Sequence, residues 1–162
     1  MKKHLFVYLI LPFIICQSSL AADLYQIGQT YSSNVEELKI IVNNLIELRN
    51  LYTNPEQMET FLAMSIAVQA INEIVLVTGY QMNFLLMSKY IKSENTRDYG
   101  DFMIRQLNAA RQYIYGSRQR IFSCQGVLTD KKVLSLISNA HKYINSLHEL
   151  TGEYIVIISK MR

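Results

Sequence analysis

Apolar residues return at alternating intervals of three and four along nearly the whole chain, and few folds tolerate that periodicity. It is the mark of amphipathic helices, each turning one greasy stripe inward. Leu24, Tyr31, Val35, Leu38, Val42, Leu45, Leu48 and Tyr52 make the first stripe. Phe61, Met64, Val68, Ile71, Val75, Met82 and Leu85 make the second, widened by Leu62, Ile66, Ile74, Phe84 and Leu86. So wide a face implies contact with more than one neighbouring helix. Met103, Leu107, Ala110, Ile114, Ser117, Ile121 and Cys124 form the third. Val133, Ile137, Ala140, Ile144, Leu147, Thr151, Tyr154 and Ile158 form the fourth.

The breaks between stripes carry stop and start chemistry. Ser33-Asn34-Val35-Glu36 fits a capping box, so helix 1 is expected from about Ser33 to Thr53, with a start as early as Leu24 left open. Asn54-Pro55-Glu56-Gln57 reads as a cap, a first-turn proline and a reciprocal glutamine opening helix 2. Thr78-Gly79 is a candidate hinge or break within it, because an interior glycine costs about 1 kcal/mol relative to alanine. Lys92 to Asp101 is polar and reads as an exposed loop. Gly126 suits a left-handed helix end, and Thr129 or Asp130 caps helix 4. With only 6 glycines and 2 prolines and no long linker, the economical arrangement is all-α: an antiparallel four-helix bundle.

Ahead of the bundle stands a different kind of segment. Lys2 and Lys3 precede an apolar run from Leu5 to Cys16, and Ser19-Leu20-Ala21-Ala22 closes it with small residues. That is the layout of a secretory signal peptide, residues 1–22, cut after Ala21 or Ala22. The run is about 12 residues and contains Pro12, against roughly 20 needed to span a bilayer. No stable membrane span after cleavage is therefore expected, and a retained anchor is the weaker alternative. Ile14-Ile15 before Cys16 lack the small residue that lipoprotein processing requires. Residues 23–162 then form one periplasmic or secreted domain. Cys124 is its sole cysteine, so the fold must hold without an internal disulfide.

Charge is divided along the chain. Removing Lys2 and Lys3 leaves 14 basic against 13 acidic residues. From Asp23 to Val75 there are 2 basic and 7 acidic residues, and from Leu76 onward 12 and 6. Such asymmetry suits helices of the two halves lying side by side, and equally a homo-oligomer or an acidic partner. Nucleic acid is a poor partner for an exported chain with a net charge near zero.

No constellation for catalysis stands out, and none is expected. His141 and His148 lie seven residues apart on helix 4, roughly 10 Å at helical rise, too far for one metal ion to bridge unaided. They read as polar residues at the edge of the stripe. A haem held between histidine and methionine is the more specific version of a cofactor-binding bundle. The Met-rich stripes fit core filling better, and no Cys-x-x-Cys-His site exists, so no cofactor and no metal are expected. Cys124 falls in the core stripe near a helix C-terminus, where the dipole disfavours a thiolate. Carboxylates are scattered; Glu36-Glu37 and Glu56 with Glu59 read as support for helix N-termini.

Arginine and tyrosine offer the one candidate surface. Arg97, Arg105, Arg111 and Arg118 fall within an arc of about 140° on helix 3, with Tyr113 and Tyr115 nearby and Arg120 further round. That composition suits an acidic protein or a lipid headgroup. Arg97, Arg105, Arg111, Tyr115 and Arg118 are the expected partner-binding residues.

Two stretches carry a family resemblance. In residues 24–53 the leader runs directly into a helix bearing Gln26, Gln29, Asn34, Val35, Leu38, Val42, Asn43, Asn44 and Leu45. Residues 126–132, Gly-Val-Leu-Thr-Asp-Lys-Lys, are followed by Leu134, Leu136 and Ile137. Together they resemble the secreted helical TrbJ-like components of conjugative type IV secretion systems, over less than half of the exported chain. The resemblance implies a non-enzymatic envelope-assembly subunit acting by protein–protein interaction, and it supplies no catalytic residues. The alternatives are a periplasmic inhibitor or immunity-type binding protein and a cofactor-binding bundle.

Overall fold

The computed structural model describes the backbone of residues 3–88 and 96–161, and the side chains of residues 22–85 and 97–160. Four helices account for most of it: α1 (Lys3–Arg49), α2 (Met58–Ser88), α3 (Thr96–Gln125) and α4 (Lys131–Met161). A single 3-10 turn, Pro55–Gln57, leads into α2. Each helix packs antiparallel on its sequence neighbours, and α4 closes back on α1. Across the diagonals α2 and α4 approach each other, whereas α1 and α3 do not. This is the antiparallel four-helix bundle that the spacing of three and four implies.

The stripes become the core almost residue for residue on α4. Val133, Ile137, Ala140, Ile144, Leu147, Thr151, Tyr154 and Ile158 are all buried. On α3 the same holds for Met103, Leu107, Ile114, Ser117, Ile121 and Cys124, with Ala110 half-buried. Tyr31, Val35, Leu38, Val42 and Leu45 face them from α1; Met64, Val68, Ile71, Ile74 and Leu85 from α2. Removing each large side chain from water contributes about 1.5–3 kcal/mol, so the seams supply most of the driving force.

Near the middle of the bundle, buried polar side chains bond to one another across the helices. The Tyr31 and Thr151 hydroxyls lie 2.9 Å apart, and Gln81 Nε2 donates to Thr151 Oγ1 at 3.2 Å. One hydrogen-bonded unit therefore joins α1, α2 and α4. Thr78 donates back to the Ile74 carbonyl, and Thr151 to that of Leu147. Burial drives the Tyr31 phenol far above its ordinary pKa, the Thr151 bond only partly opposing it.

Several local expectations are corrected. Ser33 and Asn34 are not a helix start: α1 runs straight through them. Asn34 is buried and donates from Nδ2 to Ser146 Oγ on α4 at 2.9 Å. Glu36 likewise supports no helix N-terminus but pairs with Lys39 one turn on. α1 ends at Arg49, short of Thr53. Asn54 makes no side-chain cap; its carbonyl accepts from Gln57 N instead. α2 is unbroken at Gly79, around which nothing lies within 4 Å of a notional Cβ. Among the described residues no glycine takes a positive φ, so Gly126 is not a left-handed cap. α3 already begins at Thr96, inside the expected loop; residues 89–95 lie outside the described residues.

Helix 4 is capped as anticipated, by Asp130 rather than Thr129. Its Oδ1 accepts the Lys132 and Val133 backbone N–H groups at 2.7 and 3.2 Å. Its Oδ2 accepts from the Tyr52 hydroxyl at 2.8 Å, which ties the α1–α2 connection to the start of α4. The phenol and the two backbone donors hold the Asp130 carboxyl below the usual carboxylate range.

Candidate functional site

α3 and α4 lie antiparallel in a register that opposes Arg111 to Gly152, Tyr115 to His148 and Phe122 to His141. On each helix these positions are spaced by four and seven residues, so they form one flank on either side of the core seam. The Arg111 guanidinium sits so close to Gly152 that a Cβ there would stand 3.3 Å from Arg111 Cζ. A residue without a side chain is what lets the arginine lie flat against the opposite helix. The Tyr115 and His148 rings are 6.4 Å apart and those of Phe122 and His141 6.3 Å. Arg118 stands between the two pairs, at the register position facing Asn145.

The electrostatics of this seam are one-sided. Partial burial lowers the His141 pKa, and the Arg118 charge lowers it further. Burial is also the main cause for His148, followed by Arg111 and Arg118, with Glu149 opposing. Both imidazoles are thus biased towards the neutral form, first by burial and then by the cations beside them. Among the described residues the ion pairs are Lys39 with Glu36 and Arg120 with Glu73, so neither Arg111 nor Arg118 has a carboxylate partner. Three buried polar atoms without a hydrogen-bond partner line the same flank: Arg111 Nε, His141 Nε2 and Asn145 Oδ1.

The five sequence-derived site residues do not form a single patch. Arg111, Tyr115 and Arg118 are brought together with His141 and His148. Arg105 is exposed but rotated by about 120° from Arg111, towards open solvent and α2. Arg97 is exposed in the first turn of α3, about 21 Å along the axis from Arg111. Arg120 belongs to the opposite flank, where its guanidinium donates to Glu73 of α2 and to Ser117 Oγ. Sequence reasoning placed the histidines at the stripe edge correctly but did not attach them to the arginines. The available signal was that 141 and 148 repeat the interval of 111 and 118.

Cys124 is buried, and burial pushes its thiol pKa up, the condition of an inert thiol. Among the described residues no three His, Cys, Asp or Glu side chains gather where a metal could sit. The arrangement instead offers two fixed cations, two aromatic rings and two imidazoles on rigid helices, a combination that binds carboxylates. No family model matches the chain, and neither a curated protein nor a solved structure matches it. Fold and seam therefore define the class on their own: an all-α antiparallel bundle with a basic, aromatic flank.

Proposed function

We propose that this chain is an exported, non-enzymatic bundle that works by binding another protein, and that Arg111, Tyr115 and Arg118, with His141 and His148, form the contact. The observation that carries the proposal is the pair of arginines without carboxylate partners, one with a buried and unbonded Nε, held on two packed helices. An acidic segment would neutralise the two unpaired guanidinium charges through charge-assisted hydrogen bonds to their accessible nitrogens, which a bidentate guanidinium makes strongly. The resemblance to TrbJ-like proteins and the signal-peptide layout support a partner in the cell envelope, and a role for this chain as an assembly subunit there, with a conjugative transfer apparatus as the specific case.

The test is cross-linking in intact cells with a tagged chain, followed by mass spectrometry of the adducts. The wild-type chain is expected to capture an acidic envelope protein. Arg111→Gln with Arg118→Gln should lose it by at least about tenfold, one lost charge-assisted bond being worth about 1.5–3 kcal/mol. Equal capture by the double variant, with helicity unchanged, removes the seam from the interaction. The first residue of the purified chain checks export separately: Ala22 or Asp23 is expected.

A further inference from the structure

α2 carries a second apolar face that the bundle leaves uncovered. Met58, Leu62, Ile66, Leu76 and Tyr80 are all large, and all are at least 45% exposed. At 100° per residue Met58, Leu62, Gln69, Leu76 and Tyr80 fall within an arc of about 40°, a straight stripe about 33 Å long. Surface of this kind, on the order of 500 Å² per copy, is at the upper end of what a monomer leaves to water.

The order of residues along the stripe is symmetrical. About Gln69, Met58 mirrors Tyr80 and Leu62 mirrors Leu76; beside the stripe, Ile66 falls opposite the polar Asn72. A two-fold axis through Gln69 would set Leu62 against Leu76 of a second copy, twice, with the two Gln69 side chains at the centre, each held along its own helix by donating from Nε2 to Glu73 at 3.1 Å. An isologous contact requires just such a self-complementary patch. Charge selects the direction: a parallel pair would oppose Glu59 to Glu59, whereas the antiparallel pair sets Glu59 against Gly79 of the other copy; Glu73 is already paired with Arg120 of its own chain. Charge also argues against a lipid surface as the occupant. By length and composition α2 could cross a membrane, but it forms a wall of the bundle between α1 and α3. From residue 50 to 88 there is no Lys or Arg, while Glu56, Glu59 and Glu73 are present. Helices that lie on anionic bilayers carry the opposite sign.

We infer that two copies of this chain pair antiparallel through α2, with the two-fold axis at Gln69. The pair would remove on the order of 1,000 Å² from water, the lower bound for specific association. The surface is separate from the α3–α4 flank, so this pairing does not depend on the proposed partner.

Cysteine cross-linking tests it in the full chain carrying Cys16→Ser and Cys124→Ser. Gln69→Cys should link to itself on mild oxidation on the order of a hundredfold faster, at micromolar chain, than a Ser123→Cys control on α3, because pairing raises the local thiol concentration to about millimolar. Met58→Cys should link to Tyr80→Cys in a mixture and not to itself. Sedimentation equilibrium should give a two-chain mass for the wild type and a one-chain mass for Leu62→Glu with Leu76→Glu at unchanged helicity. A one-chain wild type, self-linking of Met58→Cys, or Gln69→Cys no faster than the control would each overturn the pairing. So would binding to phosphatidylglycerol vesicles by a chain that stays single.

Discussion

α2 and α4 are the same length, 31 residues each, and both span the bundle, yet they meet water in opposite ways. α4 turns Val133, Ile137, Ile144 and Leu147 inward and sends Lys142, Glu149 and Glu153 outward. Among its described large apolar residues, Val156 alone is exposed. α2 buries an equivalent stripe but presents another on its outer side, where Leu62 is 52% and Tyr80 67% exposed. One stripe suffices to pack a helix against its neighbours. The fold explains every side of α4 and only half of α2, so the outer half of α2 answers to something besides folding.

The largest expected effect separates the two helices by burial. Leu147→Ala on α4 should cost about 3 kcal/mol, lowering the thermal midpoint by about 6–12 °C, because it leaves a cavity in a site with no exposure. Leu62→Ala on α2, at dilution where copies are apart, should stay within about 0.5 kcal/mol. Comparable losses for both, measured by urea unfolding, would mean that α2's outer face is part of the core and would break the contrast.

A smaller difference is expected at the interior glycines. Gly79→Ala on α2 meets open space and should stabilise by up to about 1 kcal/mol. Gly152→Ala on α4 sets a methyl group 3.3 Å from the Arg111 guanidinium, which must give way, so the gain should be smaller. Equal gains would show that Arg111 does not depend on that glycine for its seat.

The smallest effect is a histidine-linked dependence on pH that α4 carries and α2, without histidine, does not. His141 and His148 have folded-state pKa values below those of the unfolded chain. Their contribution is complete above about pH 6.5, the ordinary histidine value, and is lost as pH falls through that value towards the folded one. Thermal midpoints should therefore drop from pH 7.5 to 5. The slope should flatten in His141→Gln with His148→Gln; an unaltered slope would assign it to carboxylates such as Asp130.

How much of this was legible beforehand follows the same division. α4 could be read directly, since its polar and apolar residues are segregated and its Asp130 cap is local chemistry. α2 could not be oriented, because a helix that is apolar on most sides gives no sign of which stripe meets its neighbours. Leu62 and Ile66 were grouped with the buried side for that reason, and both face solvent. Asn34 misled differently. A capping box is a local pattern, but whether a helix starts there depends on the residues upstream, and α1 continues through it. The α3–α4 flank was half legible: the arginine periodicity is in the sequence, whereas the register that brings histidine to arginine is a property of two helices together.

The hydroxyl–amide cluster of Tyr31, Gln81 and Thr151 bears on how the molecule finds a single form. Greasy seams alone would accept helices displaced by one turn, about 5.4 Å, with little penalty. Such a shift would strand the Tyr31 hydroxyl and the Gln81 amide in a dry interior, at roughly 1–3 kcal/mol each, and leave Thr151 only its bond to the Leu147 carbonyl. Misaligned assemblies are thereby disfavoured, and only one axial setting of the first, second and last helices satisfies all of them at once.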